Sequence, residues 1–512
     1  MSAPRPHLQD VILVDLEPDA APDAAASDAL RGAGAPRGAG SGAQESAARA
    51  RRRLRRCWPV AAGLVLALTT VAVVADHRAS VRLAALAAVP GMLTPLDGPV
   101  RELWRSEEGQ FSDLAQVAGR LVGVEHRLDG AVDVVALDPS SGAVAWRVAA
   151  QPSGARDTLG ECVWPDAPAA PGSRVLADCL LLTGTALFAS AAGASPDVVE
   201  DASAARLLVL DAAEGTVVSD DPVDPSTSIA ALGTDVITCT VDADRHARVV
   251  RTDATGAVER WTFTSPAPVP LDRFGHADAR VAVVDGLVVV SGVRGWVLSA
   301  DGAVLRSWNS DPTRWDGGRV AVINQGQLLV ERGTTAASGG GSTIVDVATR
   351  SSFTEDGYAI GPVPNDGSLG NLVLTQPATG TDLVAFEGSS GARRWTSTDG
   401  VGGDLALGAL LVIDGRVVRA EGDRLRAIDG RTGATIWATP VPRPSLSSLF
   451  SDGQVVLRVQ ANPSEGLVLV AYSLDDGSLA WRTHLPDDST LTVVAGRLYG
   501  SSAQGIVALG RD

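Results

Sequence analysis

A single phrase returns again and again along this chain, and that recurrence limits the fold more than any other feature. Its clearest copies are VVALDPSSGAVAW, ending at Trp146; LVAFEGSSGARRW, ending at Trp395; LRAIDGRTGATIW, ending at Trp437; and LVAYSLDDGSLAW, ending at Trp481. In three of them an acid, a glycine and a tryptophan fall four residues apart: Asp138, Gly142 and Trp146; Glu387, Gly391 and Trp395; Asp429, Gly433 and Trp437. The fourth keeps Gly477 and Trp481 and puts Ser473 at the acid position. Looser copies surround Asp211 with Gly215, Asp253 with Trp261, Asp301 with Trp308, and Asp346 with Phe353. Each part has a physical role. The alternating apolar run before the acid is a strand, the carboxylate accepts hydrogen bonds from the amides of a tight turn, and the glycine supplies positive φ. The tryptophan then lies on the next antiparallel strand, where a large ring fills a gap between neighbouring sheets.

Two further short apolar runs separate one phrase from the next, as in LALGALLVID and GRVVRAEG before DRLRAIDG. Four short strands in a unit of about forty residues, repeated many times, make the pattern of propeller blades. The expected fold is therefore all-β: a β-propeller of eight four-stranded blades, with nine as the near alternative, preceded by one transmembrane helix. The last copy ends at GIVALG with no outer tryptophan strand, and VRELWRSEEG around Trp104 has no preceding partner. The Trp104 strand is expected to complete the final blade and to close the ring without an open sheet edge.

The phrase A-x-D-x-x-x-G-x-x-x-W, carried by Ala136 to Trp146, Ala427 to Trp437 and, with Glu387 for the aspartate, Ala385 to Trp395, resembles the quinoprotein-type (PQQ-like) β-propeller repeat. That family includes alcohol dehydrogenases that use pyrroloquinoline quinone and a cofactor-free propeller lipoprotein of outer-membrane barrel assembly. The resemblance spans about residues 100–510 and implies the fold. The quinone enzymes carry two adjacent cysteines against the cofactor, and here no two cysteines are adjacent. No cofactor is expected, and no catalytic or metal-ligating set is assigned. The family's lipidated N-terminal cysteine is also missing, because Cys57 sits beside an arginine run.

Before the repeats, WPVAAGLVLALTTVAVVA over residues 58–75 is free of charge, and as a helix it would rise about 27 Å, close to the hydrocarbon thickness of a bilayer. RARRRLRRC precedes it directly, so the positive-inside rule places the N-terminus in the cytoplasm and the repeats outside. The expected organisation is a disordered, Arg-ended cytoplasmic tail over 1–56, a signal-anchor helix over 57–76, a juxtamembrane linker over 77–98 and the propeller over 99–512. Residues 17–48 hold almost no large apolar side chains, which is the composition of disorder. Within the tail, LQDVILVDLEPD is a β-prone island, and Val11 and Leu13 are candidates for docking as an added strand on a cytoplasmic partner.

The net charge is −17, divided unevenly. Residues 31–56 hold eight arginines against one acid, whereas the portion after residue 56 has an excess of nineteen acids. An acidic surface repels phosphate backbones, so nucleic acid is not an expected partner. Membrane contact through one helix and one or more protein partners at the cell envelope are expected, with no expectation for oligomeric state. Cys162 and Cys179 flank ECVWPDAPAAPGSRVLADC and are expected to form a disulfide in an oxidising space, with Cys239 read as a buried thiol or a competing partner. His7, His77, His126, His246, His276 and His484 show no ligand spacing. The function these features suggest is a membrane-tethered extracytoplasmic binding, scaffold or sensor module; a cell-envelope enzyme with its site at one mouth of the propeller is the alternative.

Overall fold

The computed structural model describes residues 69–511 with interruptions, the longer ones at 153–157, 166–173, 188–197, 310–319, 333–340, 398–409 and 443–447. The tail over 1–56, including Val11 and Leu13, lies outside the described residues, as does the expected span over 58–75 apart from Thr69, Thr70, Val73 and Val74. Among the described residues no helix is long and apolar enough to cross a membrane. The chain divides into two units, Met1–His77 and Arg78–Asp512, and the second holds the repeats.

The described residues of that unit form nine four-stranded antiparallel sheets. Eight are simple meanders, running from an inner strand outward, such as Gln110–Val117, Arg120–His126, Val132–Leu137 and Val144–Gln151 in blade 1. Numbered along the chain, the next seven blades span 158–223, 228–264, 279–309, 320–355, 357–397, 410–440 and 449–484. Blade 9 takes three strands from the C-terminus, within 490–510, and its outer strand from Arg101–Ser106, which pairs antiparallel with Gly505–Gly510. Trp104 lies on that strand opposite Ala508.

Alternation within the strands explains why the sheets form a ring. Residues on one face of a blade meet the preceding blade, and those on the other meet the following one. The described apolar core accordingly falls into nine clusters, one for each seam. The cluster of Leu457, Leu469, Leu491, Leu498 and Val507 joins blade 8 to blade 9, and that of Trp104, Phe111, Leu121, Val135 and Ile506 joins blade 9 to blade 1. This succession of seams, closing on itself, is a nine-bladed propeller.

Nine blades therefore replace the expected eight. The faintest copy of the phrase falls in blade 5, whose turn has neither glycine nor tryptophan. Arg350 takes the positive φ, at 61°, and Phe353 stands on the outer strand. The strands are kept although the side chains that advertise them are gone.

Of the segment expected as a linker, 77–98, residues 78–98 are packed onto the ring. Residues 77–87 are helical, and Leu86, Met92 and Leu93 are buried. Arg82 forms an ion pair with Asp414 of blade 7. The Leu93 amide donates to Ser451 O at 2.9 Å, the Thr94 amide to Gly496 O at 2.8 Å and the Leu96 amide to Asp452 Oδ2 at 2.7 Å. The amphipathic pattern LAALAAVPGML, read as a tether, is a strap across the turns between the first and second strands of blades 7, 8 and 9.

Candidate functional site

The repeat phrase builds the same joint at successive seams. In blade 1 the carboxylate of Asp138 accepts from the Ser140 amide at 2.9 Å, and the hydroxyl and amide of Ser140 hold that carboxyl below the usual aspartate range. Asp429 of blade 7 likewise accepts from the amides of Arg431 and Thr432, at 3.0 and 2.8 Å. Gly142, Gly391, Gly433 and Gly477 follow with φ between 69° and 76°. The aromatic of the preceding blade lies on each glycine: Trp104 on Gly142, Trp146 on Gly215, Trp261 on Gly302, Phe353 on Gly391, Trp395 on Gly433 and Trp437 on Gly477. A Cβ at any of these six glycines would come closer than 3.0 Å to the ring, so the residue there must be glycine for a reason beyond φ.

Four of these indoles also donate across the seam to the carbonyl at one fixed place in the turn. Trp104 Nε1 donates to Pro139 O at 3.0 Å, Trp261 to Ala300 O at 2.8 Å, Trp395 to Gly430 O at 2.8 Å and Trp437 to Leu474 O at 3.0 Å. The indole N–H groups of Trp146 and Trp481 are buried without a partner among the described residues. For Trp481 the reason is topological. Blade 9 draws its outer strand from the other end of the domain, so no turn of this type faces it. Glu387 adds an ion pair to Arg394 of its own hairpin.

Two charged networks are buried at the opposite ends of the strands. In blade 1, Arg147 pairs with Glu125 and, at 2.6 Å, with Asp133. In blade 7, Glu421 pairs with Arg419 at 2.6 Å and with Arg426 at 3.0 Å, all three almost wholly buried. Burial pulls the Arg419 guanidinium down, and Glu421 opposes the shift. Sequence reasoning missed this trio. Its signal was RVVRAEGDRLR, in which charges of both signs alternate with aliphatics in strands that otherwise read as core.

Inner strands of neighbouring blades contribute acids to the channel wall. Asp113 sits at a bulge in the first strand of blade 1, and its carboxylate accepts from the Cys162 amide of blade 2 at 3.3 Å. Burial raises the Asp113 carboxyl, partly offset by that bond. Glu161, next to Cys162 in the chain, is raised by burial and then by the charge of Asp113, while Arg280 of blade 4 acts against both. Among the described residues no group of three or more His, Cys, Asp or Glu could hold a metal ion.

Cys162 and Cys179 are joined by a disulfide across the first two strands of blade 2. Cys239 is a buried free thiol whose Sγ donates to Ala279 O at 3.6 Å, and burial pushes it up to about 12. His126 is lowered by burial and stands 3.2 Å from Ser112 Oγ, and His246 Nδ1 lies 2.7 Å from Ser265 O. Both are seated in strand and turn structure.

Residues 379–510, the block holding the three clearest late copies of the phrase, match a PQQ-type family model described as outer membrane protein assembly factor BamB. No curated protein matches the sequence. Among solved structures, BamB from Moraxella catarrhalis is 16% identical, with 82% of this chain and 100% of that one covered and a TM-score of 0.42. Quinohemoprotein alcohol dehydrogenase from Comamonas testosteroni is 12% identical, with 85% of this chain and 84% of that one covered and a TM-score of 0.43. Residues 379–510 are thus similar to PQQ-type repeats, and the joint they carry recurs in other blades of this nine-bladed β-propeller.

Proposed function

We propose that the chain is a protein-binding scaffold of the cell envelope, tethered by a helix over 58–75 with its N-terminus in the cytoplasm and its propeller outside. The observation that carries the binding role is the match of residues 379–510 to a model described as an assembly factor. A surface suited to binding supports it. The ring presents outer strands paired on one side only, with Val144, Val217, Val258, Val304 and Leu479 exposed on or beside them. The tether rests on the uncharged run and the arginine asymmetry around it. On this reading the strap over 77–98 is the outer continuation of the anchor, and the island holding Val11 and Leu13 would give the module a cytoplasmic contact for a sensor role.

A photo-cross-linking side chain at Val144, Val258 or Leu479 in living cells should give discrete protein adducts. Protease added to protoplasts should degrade residues after about 80 and spare the tail before Arg49. No adduct at any of the three positions would remove the binding role, and a protected propeller would remove the topology. A second reading, an enzyme working at the channel, draws on Asp113 and Glu161, two acids whose carboxyls are both raised, the second with Arg280 acting against the shift. Turnover of an envelope substrate that Glu161→Gln abolishes, in a chain that still melts normally, would favour it.

A further inference from the structure

The nine seams are not equivalent, and the one between blades 2 and 3 lacks its aromatic. Ser219 on the outer strand Thr216–Val223 pairs with Val209 in the register where Trp146 pairs with Ala136 and Trp437 with Ala427. The receiving turn in blade 3 is nevertheless fully formed. Gly256 has φ 72°, and Asp253 accepts from Thr255 Oγ1 at 2.9 Å and the Ala257 amide at 3.0 Å. Yet among the described residues no atom comes within 4 Å of the place a Cβ on Gly256 would take. Six other glycines of this turn are each covered by a ring. Among the described residues the seat is built and vacant.

Its surroundings suit an incoming chain. Val217, Val218 and Val258 beside it are 51%, 41% and 47% exposed. Among the described residues the strand Thr216–Val223 is hydrogen-bonded only to the strand before it, which leaves its outer edge open. The described apolar cluster of this seam is small, with Leu180, Ala205 and Ile229 as its buried members. Scattered exposed valines are ordinary on a protein surface. Here they frame a turn whose occupant, wherever the fold supplies one, is known.

We propose that the seat between Ser219 and the Gly256 turn docks an extended segment of a partner protein that supplies a tryptophan and an adjacent basic residue. This rests on the reading of the chain as a binding module. The tryptophan follows from four of the other joints, where an indole lies on the glycine and donates to the carbonyl that corresponds here to Ala254. The basic residue follows from charge. Asp220, Asp221 and Asp224 line the same strand and its exit, and Asp220 alone has a described ion-pair partner, Arg206 at 2.5 Å. A second copy of this chain, with a net charge of −17 and the same acidic strand, is disfavoured as the occupant.

The probe is a fluorescein-labelled peptide of the outer strand of blade 1, VAWRVAAQ, in which tryptophan is followed by arginine. Anisotropy is read against the detergent-solubilised full chain. Saturable binding is expected, at least tenfold weaker for the peptide with Trp replaced by Ala. It should weaken at least tenfold again for a Ser219→Trp chain, which fills the seat from within and should melt at a higher temperature than the parent. Absence of binding, or equal binding in either comparison, overturns the proposal. So does a dimer of the parent chain that Ser219→Trp dissociates, which would make the occupant a second copy. If the seat fails while cross-links at Leu479 persist, the binding role stands and only this site is lost.

Discussion

At the scale of single residues, the seams are held by groups whose cost or benefit can be assigned. The joint glycine accepts an aromatic face, the acid ties its turn, and a tryptophan buries its ring while placing one N–H on a carbonyl, all of which the sequence announces by spacing. Asp178 is the opposite case. It lies on the second strand of blade 2 between Val163 and Val209, on the face that Leu180 and Leu182 turn toward blade 3. Burial raises its carboxyl from 3.8 to about 7. Glu161 and Asp221, paired with Leu180 and Leu207, share this face of blade 2. A carboxyl raised on folding is bound to a proton in the folded chain where the unfolded chain has lost it. It therefore destabilises the fold increasingly as pH rises from about 4 to about 7, by at most about 4 kcal/mol. Asp178→Asn should flatten the fall in melting temperature between pH 5 and pH 8 and raise stability at pH 8. Parallel melting curves for parent and variant across that range would mean the carboxylate is solvated.

At the scale of elements, the hairpins whose turns keep the full phrase were legible, and those that dropped it were not. Blade 5 is faint in the sequence because Arg350 and Phe353 replace the two residues that mark the joint, although its strands pair in regular register. The strap over 77–98 read as a linker because its short aliphatic helix has no strand partner to reveal that it packs on turns far along the chain. The buried Arg419, Glu421 and Arg426 were not foreseen because charged residues in a strand ordinarily mark the solvent face, and only the cross-strand register puts them together. The Cys162–Cys179 pairing was legible, since two cysteines flank a loop that has little core of its own. The bridge closes a separation of 17 residues, for which chain entropy gives about 3 kcal/mol. Both sulfurs belong to the cluster that blade 2 shares with blade 1. Reduction should therefore loosen more than the loop: amides of Thr158–Val163 and of the facing strand Val132–Leu137 should exchange faster together. Faster exchange confined to residues 164–175 would show that the bridge serves the loop alone.

At the scale of the whole molecule, the ring has one seam of covalent discontinuity, inside blade 9. The strand Arg101–Ser106 begins the domain and Gly505–Gly510 ends it, and their pairing joins the two. Trp104 works on both sides of this junction. Its ring packs with Tyr499 of blade 9 at 6.0 Å between centroids, and it also covers Gly142 and donates to Pro139 O of blade 1. Arg497 of blade 9 donates to the same Pro139 carbonyl at 3.1 Å, a second tie across the seam. A ring of blades has no free end only while this strand is in place; without it Ile506–Leu509 becomes an open edge and blade 1 loses the aromatic on its turn. Deleting residues 101–106 should turn a single cooperative melting transition into a broad one. Amides of Gly505–Gly510 and of Arg120–Leu137 should lose protection first, while blades 4 and 5, farthest round the ring from blade 9, should keep theirs longest. The strap over 78–98 would still hold blades 7, 8 and 9 through Asp414, Ser451, Asp452 and Gly496, so opening should start on the blade 1 side of the break. If the truncated chain melts as sharply as the parent, with uniform exchange around the ring, closure does not depend on the N-terminal strand. The seam clusters alone would then be holding the nine blades together.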